Sequence, residues 1–245
     1  IDKNTLINTE ELFKVVENND EKKLEVLLSR NIDPYCLNEN GDYVLEKAVE
    51  KNNIGSFSTI LDSMRKQPES YELFSEEILN KCSEVASKLN TSLLNEDKKE
   101  EYSFMLNLLE ANGADMVLNN DRGNSITLEN MITYSNEEGI NYLMGNKKDL
   151  INLDNPNYIN FSMEKVFESA YFQDSPIKGL DKDILDNLME NNFKVELTPK
   201  SIEKLTNTIK SEEVKDLTKV LIIHGFDIQS HDNMFANNLL NTSGN

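Results

Sequence analysis

Residues 12–45 read LFKVVENNDEKKLEVLLSRNIDPYCLNENGDYVL. Apolar Leu12, Phe13, Val15 and Val16 recur at helical spacing, and Thr9 upstream predicts the N-cap of a first helix. After the polar ENNDEK run, Leu24, Val26, Leu27 and Leu28 predict a second helix, which Pro34 cannot continue because it lacks an amide proton. Asn38 to Gly41 reads as a polar turn. Beyond it, Leu45, Ala48 and Val49 fall at i, i+3 and i+4, the apolar stripe of a third helix.

The spacing decides between isolated helices and a repeat. Leu12 and Leu45 are 33 positions apart, and so are Val15-Val16 and Ala48-Val49. Two short helices and a turn at that period resemble the ankyrin repeat. The stretch at 108–124, LLEANGADMVLNNDRGN, fits the same template: Leu108-Leu109 close a second helix, Gly113-Ala114-Asp115 match the family's Gly-Ala-Asp, and Asn120 to Gly123 match its turn. A further copy reads VLIIHGFDI with Gly225-Phe226-Asp227, and a weaker one ILDNLMENNFKV, with Asn192 in place of glycine. Glycine or asparagine is expected there because the chain leaves the helix through a left-handed residue.

No unit carries the family's Thr-Pro-Leu-His. The corresponding residues are Tyr43-Val44-Leu45-Glu46 and, with one extra residue, Ile126-Thr127-Leu128-Glu129. Ile78 to Asp115 spans 37 positions where Leu12 to Asp33 spans 21, so longer helices and a loop are expected between Asp62 and Tyr102. The resemblance implies an all-α, ankyrin-like solenoid of five or six irregular helix-turn-helix repeats with long insertions. It forms a single elongated domain over 1–245: a leader over 1–8, regular repeats over 9–64, expanded repeats over 65–150, divergent repeats over 151–230 and a cap or tail over 231–245. The alternative is an irregular helical bundle.

The NNDRG run also resembles a calcium loop, and that reading fails on its ligands. Counting back from Gly123 puts Leu118 at position 1 and Arg122 at position 5 of an EF-hand loop, where oxygen ligands are required.

Composition narrows function. The 245 residues carry 44 acidic and 25 basic side chains, a net charge of −19, which opposes binding to nucleic acid or to an anionic membrane. Mean hydropathy is −0.55, and the richest apolar run, Val220 to Ile223, stops at His224-Gly225, far short of the roughly 18 residues a membrane helix needs. The amino end has no basic-then-apolar leader. Two cysteines, Cys36 and Cys82, form no disulfide framework, and a reducing compartment is expected: the cytoplasm, or a host cytosol into which the chain is delivered.

Catalytic chemistry has few residues to use. His224 and His231 are the only histidines, and His224 is expected at the exposed end of a second helix. Cys82 falls on a core position. No clustered Cys and His with zinc spacing and no glycine-rich phosphate loop occur, so neither metal nor cofactor is expected. The carboxylate pairs Glu76-Glu77, Glu100-Glu101, Glu137-Glu138 and Glu212-Glu213 are mostly expected in first helical turns.

The resemblance therefore implies a non-enzymatic, monomeric protein-interaction module. Partner contacts are expected from turn tips and first-helix faces lining a concave groove: Glu39, Asn40, Asp42, Tyr43, Glu50 and Lys51, then Asp121, Arg122, Asn124, Thr133 and Tyr134. Tyr43, Arg122 and Tyr134 belong to residue types that anchor interfaces. Abundant Asn, Lys, Ile and Leu without Trp suit AT-rich coding DNA, and degenerate ankyrin arrays of that composition resemble those of effectors of intracellular bacteria, which act on host proteins. The partner would then be a host protein with a basic surface. The rival reading is a regulatory or catalytic part of a larger enzyme, with active residues in the insertions at 64–99 and 152–183.

Overall fold

The computed structural model of the chain describes residues 2–171, 180–208 and 211–226, apart from the side chains of 169–171, 180, 181 and 208. His231 and the expected tail over 231–245 lie outside the described residues. The described chain is all-α, with no strand and two isolated bridges, Leu37 to Tyr43 and Asn119 to Ser125. No described helix is long and apolar enough to cross a membrane.

Two compact units are present: 1–89 with 94–118, and 90–93 with 119–245. The first holds α1 (Lys3–Glu17), α2 (Glu21–Ser29), α3 (Val44–Glu50), α4 (Ile54–Arg65), α5 (Pro68–Ser87) and α6 (Glu96–Ala111). Here α1, α3 and α5 pack in one row, α2 packs on α4 beside it, and each odd helix also packs on the even helix that follows. The second unit holds α7 (Ile126–Thr133), α8 (Glu137–Asn146), α9 (Asn157–Tyr171), α10 (Leu180–Glu190), α11 (Pro199–Thr208) and α12 (Glu212–Ile223). There α7, α9 and α11 form a row, α10 packs on α12, and α9 touches both.

The expected apolar stripes face inward. Leu12, Val16, Leu24, Leu45, Ala48 and Val49 are fully enclosed. Removing each of these leucine and valine side chains from water contributes roughly 1.5–3 kcal/mol, far more than the intrinsic helix propensity of so short a segment as α3.

One connection recurs three times. Asn19, Asn52 and Ser135 take φ of 54°, 50° and 56° after α1, α3 and α7. The next residue in each case, Asp20, Asn53 or Asn136, donates its amide to the carbonyl five residues earlier, in the last turn of the helix just left (Val15, Ala48 or Met131, at 3.0, 3.1 and 2.8 Å). The same residue then caps the next helix, its side chain accepting from the amides of Lys23, Ser56 and Gly139 at 3.2, 3.0 and 2.8 Å. One polar residue thus closes one helix and opens another, satisfying backbone groups that would otherwise be orphaned. At the far ends of the second helices, Asn31, Gly113, Asn192 and Gly225 are all left-handed, with φ between 62° and 98°, as their positions require.

Several expectations are corrected. Thr9 is no N-cap: α1 begins at Lys3, Asp2 caps it, and the Thr9 hydroxyl bonds back to the Thr5 carbonyl at 2.9 Å. The added turns are solvated, so no apolar periodicity announced them. Val26 is exposed, on the outer side of α2. Glu76-Glu77 lie deep inside α5, because Pro68 starts that helix earlier, and Glu100-Glu101 sit in the second turn of α6. The first turns of α8 and α12 do hold Glu137-Glu138 and Glu212-Glu213. The longer helices and loop expected between Asp62 and Tyr102 are the 20-residue α5, the 16-residue α6 and an intervening stretch with a short 3-10 turn at Thr91–Leu93.

Candidate functional site

Two tight turns present the expected contact residues on matching scaffolds. In the first, Asn38 accepts at Oδ1 from the amides of Asn40 and Asp42 at 3.0 and 2.9 Å, and its own amide donates to the Asp42 carbonyl at 3.0 Å. In the second, Asn120 accepts from Arg122 and Asn124, both at 3.0 Å, and donates to the Asn124 carbonyl at 2.8 Å. Gly41 and Gly123 both take a φ of 78° and donate to the Asn38 and Asn120 carbonyls at 3.0 Å. Asparagine is suited to this job because its short amide can mimic a backbone turn. The tips left in solvent are Glu39 and Asn40 in one unit, Asp121 and Arg122 in the other.

The remaining expected contacts differ in availability. In the first unit, the Tyr43 ring lies 5.2 Å from the Lys81 ammonium, Glu50 pairs with Lys47 at 2.7 Å, and Lys51 reaches Glu17 at 3.7 Å. These pairs are partly solvated and cost little to exchange for a partner's groups. Asp42 is half-buried, its backbone held by Asn38. In the second unit, Asn124 is buried and its side-chain carbonyl accepts from Asn155. The Thr133 carbonyl accepts from the Lys165 ammonium, which also reaches the Ser135 hydroxyl at 3.2 Å. Tyr134, at the end of α7, is 42% exposed, and Arg122 makes no ion pair with a described residue.

The cysteines are poor nucleophiles. Burial pushes the half-buried Cys36 thiol up to about 11, and it raises the enclosed Cys82 well above its ordinary value. A thiolate is the reactive form, and both sites suppress it.

His224 departs from expectation. It caps the end of α12, but its side chain is only 17% exposed, and Nε2 lies 2.7 Å from Asp186 Oδ1 on α10. Glu190, one turn along α10, brings a second carboxylate, and one ligand-type atom from each of the three residues lies within 4.8 Å of the others. Sequence spacing could not reveal this grouping, because packing of α10 on α12 joins residues 38 positions apart. The i, i+4 spacing of the two carboxylates was the visible half of the signal.

The chain matches no protein-family model and no curated protein.

Proposed function

We propose that the chain is a protein-interaction module built of degenerate ankyrin-like repeats, non-enzymatic in itself, which holds a protein partner through its turn tips and first-helix faces. The observation that carries this reading is the pair of Asn-scaffolded turns at 38–42 and 120–124, whose backbones are hydrogen-bonded alike while their solvent-exposed tips carry unlike side chains, Glu39 and Asn40 against Asp121 and Arg122. A rigid backbone that holds unlike exposed residues is the usual construction of a recognition surface. The 33-residue register of the Asn19-Asp20 and Asn52-Asn53 connections supports the repeat assignment. The −19 charge favours a partner with a basic surface, such as a host protein met in a host cytosol, and association should weaken as salt rises.

A second reading, an enzyme or the regulatory arm of one, draws on Asp186 and His224, because a carboxylate that orients an imidazole is half of a general-base arrangement. It lacks the other half. Among the described residues no serine, threonine or cysteine hydrogen-bonds to His224.

The test compares the parent chain with an Arg122→Ala/Tyr134→Ala double variant in pull-downs from a eukaryotic lysate. A partner retained by the parent and lost by the variant supports the turn-and-helix surface as the working face. Equal recovery by both chains refutes it.

A further inference from the structure

The grouping of Asp186, Glu190 and His224 has an electrostatic peculiarity beyond its geometry. Glu190 is the last residue of α10 and His224 caps α12, so two helix C-termini, each carrying partial negative charge, lie beside these residues. Two carboxylates add to the same sign. Among the described residues neither carboxylate pairs with a lysine or arginine, and Lys182, the cation of α10, is drawn to Asp216 at 3.7 Å. The neighbourhood therefore favours a cation.

We propose that Asp186, Glu190 and His224 form a divalent transition-metal site of the zinc class, joining α10 to α12. The ligand set selects among cations. One imidazole with two carboxylates suits zinc and its neighbours, whereas calcium requires six to eight oxygens and magnesium a near-octahedral oxygen shell. The carboxylates' i, i+4 spacing turns both toward one point, and the histidine approaches from the second helix. With metal–ligand bonds of about 2.0–2.2 Å, tetrahedral ligand atoms stand roughly 3.4 Å apart. The 2.7 Å between His224 Nε2 and Asp186 Oδ1 must then widen by a rotamer adjustment, which the solvated Asp186 side chain permits. Three protein ligands leave the fourth position open, for water or a donor from a bound molecule.

The test is calorimetric titration of the full chain with zinc, and in parallel with magnesium. The variants are Glu190→Gln, His224→Gln and, as a control, His231→Gln. Glu190 is exposed, so its replacement leaves the fold intact and keeps the test valid if His224→Gln unfolds. About one equivalent of zinc is expected, weakened roughly tenfold or more by Glu190→Gln and by His224→Gln, unaffected by His231→Gln, and unmatched by magnesium. Zinc binding that is absent from the parent, equal in all four chains, or lost only with His231→Gln overturns the proposal. Equal binding throughout would mark diffuse attraction to the acidic surface.

Discussion

The amide of Ser125 donates to the hydroxyl of Tyr158 across 2.6 Å, and both residues are fully enclosed. Ser125 is the N-cap of α7 and Tyr158 lies in the first turn of α9, so one hydrogen bond joins the starts of two neighbouring helices. The Tyr158 ring also meets Phe193 edge-on, with centroids 5.5 Å apart. Tyr158→Phe keeps that ring contact and deletes only the acceptor. The buried amide then loses this acceptor, at a cost of about 1–3 kcal/mol. Tyr134→Phe, at a 42% exposed position, should change stability little. Urea denaturation of the two variants checks this, and equal losses would refute the assigned role of the bond.

The doubled use of one residue at each inter-helix connection predicts that caps matter unequally. Asp20 is exposed, whereas Asn53 and Asn136 are buried, and Asn53 also donates to Asn19 at 3.2 Å. Asp20→Ala should cost about 1 kcal/mol, the ordinary value of an N-cap. Asn53→Ala and Asn136→Ala should each cost about 2 kcal/mol, because buried amide partners are left unanswered as well. Thermal unfolding of the three single variants ranks them. A ranking with Asp20→Ala as the most damaging change would count against the cap assignment.

Much of this was legible from the chain itself. The i, i+3, i+4 stripe of Leu45, Ala48 and Val49 is a local pattern whose burial follows from helical geometry alone. The Asn38 and Asn120 turns and the left-handed Gly113, Asn192 and Gly225 rest on intrinsic backbone preferences, which each residue carries wherever it sits. What failed was of another kind. Thr9 has the residue type and position of an N-cap, but α1 runs two further turns ahead of it on solvated residues, with no stripe to betray them. The exposed Val26 shows that an apolar residue in a helical window is core only if the facing helix covers its side. The Asp186–His224 contact depends on how α10 packs on α12, and no local preference encodes a pairing across 38 positions.

Glu46 gives the protein a pH dependence that can be isolated. Its carboxyl is buried, and burial raises its pKa above the ordinary 4.5, assisted by the neighbouring charges of Asp42 and Glu84 and opposed by the Tyr43 amide and Lys81. A carboxyl whose folded pKa is raised binds its proton more tightly when folded. Its stabilising contribution is complete below the unfolded value and is lost as pH rises through the raised one. Glu46→Gln keeps an acceptor for the Tyr43 amide, now bonded to Glu46 Oε2 at 2.6 Å, and removes the charge. The variant's melting temperature minus the parent's should therefore grow between pH 4 and 7. A difference that stays flat or falls would show that Glu46 is ionised at no cost.

Glycine-to-alanine changes at Gly113 and Gly145 should act in opposite directions, although a methyl group added at either site meets nothing within 4 Å. Sterics with the surroundings are thus absent from both, and only the backbone distinguishes them. Gly113 leaves α6 at a φ of 98°, where it donates to the Glu110 carbonyl at 3.0 Å and the next amide, of Ala114, donates to Leu109 at 3.0 Å. An alanine there must hold a left-handed conformation that its Cβ disfavours by about 1–2 kcal/mol, or give up those bonds. Gly145 lies in the last turn of α8, in ordinary helical backbone. There alanine loses less conformational entropy on folding, and the gain should reach as much as about 1 kcal/mol. Chemical denaturation of the two variants against the parent should therefore give shifts of opposite sign. Shifts of the same sign would mean that one of the two glycines is held by something other than its backbone angle.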